Sequence, residues 1–219
     1  MRIASVVMIT LFFFSFTGCS WFNEPDREME KSAQTLVNEG TSDYREGNYR
    51  EAIRSFTTLR DWYPFSKYAI LAELKIADSH YKLDSYEEAI PAYQEFENLH
   101  PRNEAIPFVI YRIGMCWYKE IRSVDKDQTS AAKAMAEFQR LIERFPKDPL
   151  SVKAKKKINR CKESLAGHEA YVADYYLRTK QYKAALKRYE SIFAVYPGTQ
   201  FGKKALKNIA LCKEKINQE

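Results

Sequence analysis

The sequence is poor in the residues that punctuate a chain, with only 7 glycines and 8 prolines among 219 residues. That scarcity excludes a many-turned all-β fold and suits long helices joined by short connections. Histidine is scarcer still, at 3, and His80, His100 and His168 are scattered. The chain has no HExxH, no GxSxG and no glycine-rich phosphate loop. Zinc hydrolysis, serine-nucleophile hydrolysis and nucleotide chemistry therefore have no footing. No enzymatic activity, metal or cofactor is expected. Long apolar runs are absent except for one, residues 3–16. Its 14 residues fall short of the roughly 20 that a membrane-spanning helix needs.

What is present is aromatic and charged. Tyrosine numbers 15 and phenylalanine 13, in a chain that is 45% hydrophobic and 29% charged. That balance is globular, not disordered. The formal charge of +6 is unevenly spread: residues 147–219 hold 17 Lys/Arg against 7 Asp/Glu, a net of +10, so residues 1–146 carry −4. The basic third reads either as solvated helix faces or as a surface for an acidic protein or anionic lipid.

The front end is an address. Met1-Arg2 supplies a positive start, the apolar run follows, and Thr17-Gly18 place small residues before Cys19. This layout resembles a bacterial lipobox, with Phe16 where leucine is commoner. The alternative is an ordinary secretory signal with an incidental cysteine. The lipobox reading divides the front into a signal peptide, 1–18, and a lipidated tether, 19–28, with a covalent lipid on Cys19. One acyl chain anchors only marginally, at about 0.8 kcal/mol per buried CH₂, whereas the three chains of a bacterial lipoprotein would anchor stably. Ser20 stands where an inner-membrane retention signal has aspartate, so the resemblance implies the outer membrane. Export from the cytoplasm makes nucleic acid an unexpected partner.

The rest of the chain repeats. Four segments end in proline, at 64, 101, 146 and 197, and each has alanine 12 residues earlier: Ala52, Ala89, Ala134 and Ala185. An aromatic follows each alanine by four (Phe56, Tyr93, Phe138, Tyr189), and a larger apolar residue by seven (Leu59, Phe96, Leu141, Ile192). The spacing marks one face of a helix, which the proline then ends. Gly40, Ala77 and Ala173 lie 12 before three of the alanines, in a preceding helix, where small side chains allow close approach. This pattern resembles the tetratricopeptide repeat. It implies an all-α, right-handed superhelical solenoid of about five helix pairs. The expected helices are 29–46, 49–63, 66–83, 86–99, 104–121, 129–145, 149–164, 167–179, 182–195 and 199–216. A kink is expected at Pro91, an extended polar loop over 122–130, and a helix start at Asp148-Pro149.

Cys116, Cys161 and Cys212 each fall 15 residues after a repeat-ending proline, and Ser79 takes that place after Pro64. One cysteine per repeat separates the thiols along a solenoid, which favours core packing over metal or redox use. A Cys161–Cys212 disulfide is the alternative in an oxidising compartment. His100 holds the pre-proline slot that Tyr63, Phe145 and Tyr196 fill elsewhere, so its role reads as structural. Ser85 and Glu88 have the spacing of a capping box.

A lipid anchor ahead of such repeats resembles the BamD (YfiO/ComL) family of lipoproteins over the whole mature chain. The resemblance rests on "GNYREAI" (47–53), "YPFSKYA" (63–69), the third-repeat insertion and "HEAYVADYYL" (168–177). It implies a scaffold of the BAM complex on the periplasmic face of the cell outer membrane. That scaffold would bind the POTRA domains of BamA, with other Bam lipoproteins as further partners. It would also bind the C-terminal signal of unfolded β-barrel proteins and promote their insertion. The N-terminal repeats, 29–103, would offer the substrate groove and the C-terminal repeats, 104–219, the BamA contact. Arg50 and Tyr63 match family substrate-signal positions, and Arg188 matches an arginine that pairs with an acidic POTRA residue. Arg50 and Arg188 also read as ordinary exposed helix charge, and Tyr63 as packing. Ser66 departs from a glycine common after YPF. A Tol- or peptidoglycan-associated lipoprotein and a hydrolase-presenting accessory lipoprotein are the competing readings.

Overall fold

The computed structural model describes residues 31–218, and every regular element in that span is helical. Nine helices follow one another: α1 (Ala33–Glu46), α2 (Tyr49–Trp62), α3 (Ala69–Lys82), α4 (Tyr86–Leu99), α5 (Ile106–Lys119), α6 (Thr129–Arg144), α7 (Pro149–Arg178), α8 (Tyr182–Val195) and α9 (Gln200–Asn217). Each packs mainly on its neighbours in sequence, as in a solenoid.

The punctuation is repeated residue for residue. The four proline-terminated helices end on Tyr63, His100, Phe145 and Tyr196, at φ −130°, −127°, −134° and −127°. Each of these residues still donates its N–H to the carbonyl four residues back, at 2.8–2.9 Å, before proline stops the helix. Within pairs the tight turns use left-handed backbone at the same repeat position: Gly47 (φ 87°), Asp84 (φ 55°) and Lys180 (φ 60°). Glycine is at ease there, whereas lysine is strained. Edge-on pairs Tyr44–Tyr49 and Tyr81–Tyr86 close two of these turns. Ser32, Asp148 and Thr199 cap α1, α7 and α9 through their side chains.

Three local expectations are corrected. Ser85 makes no side-chain cap. The turn is instead held by Asp84, which accepts the Tyr86 hydroxyl proton. The break expected between 164 and 167 does not exist, because α7 runs 30 residues without interruption. The expected helices seven and eight are therefore one, and the loop before α6 explains why. Val124 of that loop packs against Gly167, where a Cβ would come within 2.6 Å of its Cγ1. His168 Nδ1 donates to the Val124 carbonyl at 2.7 Å, and Ser164 donates to Gln128 at 2.6 Å. The insertion is thus docked, not extended, and it splints α7 at its midpoint. α4 is a single helix through Pro91.

The core forms three clusters, spanning residues 36–76, 77–161 and 166–212. The repeat alanines and the aromatics four residues on are fully buried. Burying each aromatic contributes about 1.5–3 kcal/mol. Two solutions alternate at this position. Phe56 and Phe138 lie against Gly40 and Gly114, with no room for a Cβ. Tyr93 and Tyr189 instead donate their hydroxyls to Asp78 and Asp174, both at 2.5 Å. By repeat spacing the Asp78 position is Thr41 in the first pair and Met115 in the third. A carboxylate is present where the ring is tyrosine and absent where it is phenylalanine.

Cys116, Cys161 and Cys212 are free and fully buried, as the core-packing reading expects. Burial pushes the Cys116 thiol up to about 12 and that of Cys161 to about 11. Two results follow. Thiol reagents should leave all three unmodified at pH 8 until the chain unfolds, as mass spectrometry under native and denaturing conditions can check. Stability should also be pH-sensitive on the alkaline side. A folded pKa above the unfolded value means that the unfolded chain ionises first. The thiols' contribution is therefore intact below about pH 8.5 and lost as pH rises towards 11–12.

Candidate functional site

The two substrate-signal positions expected from sequence lie on α2, at opposite ends. Arg50 is in its first turn and exposed, and Tyr63 caps its last. Thirteen residues of helix separate them by about 20 Å, so they do not form one contact point. Tyr63 packs against the first core cluster, and its hydroxyl donates to the Lys31 carbonyl at 2.9 Å, pinning the incoming chain. Lys31 also pairs with Glu39 at 3.0 Å. The exposed aromatics here are the neighbours of Tyr63: Phe65 is wholly exposed and Trp62 is 51% exposed. Trp62 lines a shallow hollow with Lys31, Glu39, Arg54, Ser55 and Thr58. The sequence reading passed over both rings. Their signal was that, in "WYPF", they fall outside the buried 0, 4, 7 pattern.

Ser66, which stands where glycine is common after YPF, needs no glycine backbone. It has no left-handed φ, its N–H donates to Tyr63 at 2.9 Å, and its hydroxyl accepts the Tyr68 N–H at 3.3 Å. Serine suits this turn without strain.

Arg188 sits on α8 facing α7. Its Nη1 donates to Glu169 at 2.7 Å, and the guanidinium lies 5.7 Å from the Tyr176 ring centre. Both members of the ion pair are more than a third exposed, so the pair itself contributes little to stability. Together they line an open hollow of about 370 Å³ with Ala184, Lys187 and Ser191. An incoming carboxylate could take the place of Glu169 on a guanidinium already oriented by a ring. Tyr171 and Tyr175, about half exposed, lie on the same helix as Glu169. Arg188 belongs to the third core cluster region, while Arg50 and Tyr63 belong to the first. Cys19 lies outside the described residues.

Among the described residues no group of three or more His, Cys, Asp or Glu could hold a metal ion. No described helix is long and apolar enough to cross a membrane. The described surface carries charged and aromatic side chains, Arg50, Arg188, Trp62 and Phe65 among them, on a helical scaffold.

Comparison with known proteins gives these contacts a family. Residues 29–218 match the family model described as YfiO, outer membrane lipoprotein. The chain belongs to this family. Similar curated proteins are named outer membrane protein assembly factor BamD. That of Neisseria meningitidis serogroup A is 26% identical, over 85% of this chain and 74% of its own. That of Pasteurella multocida is 26% identical, over 99% and 86%. That of Vibrio cholerae is 27% identical, over 86% and 82%. Among solved structures, the TPR2AB domain of yeast Sti1 in its pHSP90 complex superposes with a TM-score of 0.52 at 18% identity, covering 84% of this chain and 70% of that one. The MamA protein does so with 0.50 at 18% identity, covering 85% and 92%. These two likenesses establish the tetratricopeptide-like fold and nothing more. As a YfiO-family member the chain is an outer membrane lipoprotein.

Proposed function

We propose that this lipoprotein is the BamD-type factor of its cell: a non-enzymatic scaffold for assembling β-barrel proteins into the outer membrane. The reading is carried by one observation, the family match across residues 29–218 together with BamD relatives aligned over most of the chain. In this reading lipid on Cys19 tethers the solenoid to the periplasmic face of the membrane. Residues 29–103 take the C-terminal signal of unfolded barrel proteins, and residues 104–219 dock the POTRA domains of BamA. The +10 charge of residues 147–219 supports an acidic docking partner. The exposed Arg50 and the aromatics around Tyr63 support recognition of a segment with a carboxylate and an aromatic end. Because Arg50 and Tyr63 are about 20 Å apart, they would grip different parts of one extended segment.

Co-purification after mild detergent extraction tests the identity. BamA in the eluate is the expected result, whereas Tol components or a wall hydrolase in its place would replace the reading with one of its competitors. Charge reversals test the division of labour. Arg188→Glu should weaken BamA capture about tenfold or more, while Glu169→Gln, which frees the guanidinium, should leave capture equal or stronger. Arg50→Glu should weaken capture of barrel-signal peptides and spare BamA. Equal BamA capture by Arg188→Glu and the parent protein would refute the assignment of that surface.

A further inference from the structure

A second set of cations is built into the row formed by the first helix of each pair. Lys75 of α3 lies over the Tyr44 ring of α1 at 4.0 Å, Arg112 of α5 over the Tyr81 ring of α3 at 4.3 Å, and Lys157 of α7 over the Tyr118 ring of α5 at 4.4 Å. The tyrosines are 37 residues apart, and each cation stands 11 residues after a repeat-ending proline. The same contact is therefore made three times between successive pairs. At the corresponding place in the last repeat stands Asn208, so the charged row ends at α7.

Packing between repeats does not account for the middle member. Arg112 lies between two rings, Tyr81 and Phe108. Its Nε is fully buried and has no acceptor. The nearest carboxylate, Asp78, is 3.7 Å away and already accepts the Tyr93 hydroxyl. A guanidinium is a planar fork of donors whose natural complement is a carboxylate, and here it is held between rings with a carboxylate near its buried Nε but no hydrogen bond to that atom. The row continues into an open hollow of about 390 Å³ lined by Tyr118, Ile121, Arg122, Ser123 and Arg160, which adds two more cations.

We infer that Lys75, Arg112 and Lys157 form a carboxylate-reading strip for an extended acidic polypeptide segment, with Arg112 as its bidentate centre. The occupant follows from geometry and charge. The first helices of successive pairs meet through these cation–ring contacts, which sets their axes about 10 Å apart, and a chain in the polyproline II form returns to the same face every three residues, about 9 Å on. Carboxylates at every third position would thus meet successive cations. All three cations are half-buried beside rings, which suits a narrow chain laid along the row better than a flat lipid surface. The inference rests on the client-binding role proposed above and extends it: the strip begins at Lys75 within residues 29–103 and runs past them through Arg112 and Lys157, naming the chemistry that role would read beyond Arg50 and Tyr63.

The test uses the purified mature chain and a fluorescein-labelled peptide of Glu-Pro-Pro repeated three times, which holds its carboxylates on one face. The expected result is binding that weakens with salt and is absent for the peptide with glutamine in place of glutamate. Arg112→Met should weaken it about tenfold, and Lys75→Met or Lys157→Met by less. Arg112→Lys, which keeps the charge but loses the fork, should fall between, and it serves as the readout if Arg112→Met unfolds. Lys133→Met removes a cation stacked on Trp117 away from the row and should change nothing. Equal binding of the glutamate and glutamine peptides, or full binding by the Lys75→Met/Arg112→Lys double variant, would overturn the inference. So would variants that lose phosphatidylglycerol vesicles while keeping the peptide. BamA co-purification is scored separately. Its failure in the parent protein would remove the client role but leave the peptide result standing.

Discussion

Replacing Ala89 by glutamate should abolish the cooperative unfolding transition of the whole chain. Ala89 is wholly buried in α4, where the first residue of the repeated face meets the preceding helix. Its side chain is enclosed within an apolar cluster. An unpaired buried charge costs several kcal/mol after relaxation, a large share of the roughly 5–15 kcal/mol that holds a domain folded. The position also matters. Ala89 belongs to the central cluster, residues 77–161, which lies between the two outer clusters along the chain. The outer clusters span residues 36–76 and 166–212, about the size at which a lone domain is marginal. Loss of the centre should therefore not leave stable ends. Thermal unfolding followed by circular dichroism would show a broad, non-cooperative melt. Gln94→Glu, on the exposed side of the same helix, should shift stability by no more than about 0.5 kcal/mol. A normal melting temperature for Ala89→Glu would mean that the repeat register is wrong.

The register itself was legible because it is local. Alanine, aromatic, apolar residue and proline at fixed spacing write one helix face and its stop, and four nearly identical cap geometries bear this out. The buried cysteines were legible for the same reason, since each occupies the slot that Ser79 fills in the second pair. What escaped the sequence depends on contacts between distant residues. The continuity of α7 rests on Val124 and Gln128 reaching Gly167, His168 and Ser164, some 36–44 residues away. Ser85 and Glu88 have capping spacing, yet Asp84 in left-handed backbone sets that turn. Of the candidate site, Arg50 and Arg188 were found as charges, but not that α2 holds Arg50 and Tyr63 at opposite ends, nor that Glu169 already occupies Arg188. Residue type alone does not mark Trp62 as exposed, but its repeat position does: Leu99 and Val195, also two residues before a repeat-ending proline, are exposed as well.

The alternation between tyrosine and phenylalanine repeats predicts the second large effect. Asp78 is 5% exposed and serves both the Tyr93 hydroxyl and, at longer range, Arg112. Asp78→Ala leaves a buried phenol without its acceptor and a half-buried guanidinium without its nearby counter-charge, and should cost about 3–5 kcal/mol. For a chain of this length that lowers the melting temperature by roughly 10 °C. Tyr93→Phe alone should cost less, about 1–3 kcal/mol, because it strips one hydrogen bond from a buried carboxylate. The decisive variant combines Tyr93→Phe with Asp78→Thr, copying the pairing that the chain itself uses at Phe56 and Thr41. If the polar pair is a matched unit, the double variant should be more stable than Asp78→Ala. The cycle through the single variants Asp78→Thr and Tyr93→Phe should then give a coupling energy above about 1 kcal/mol. Additive losses would instead mean that Asp78 acts chiefly through Arg112, and the carboxylate would then belong to the cationic row more than to the core.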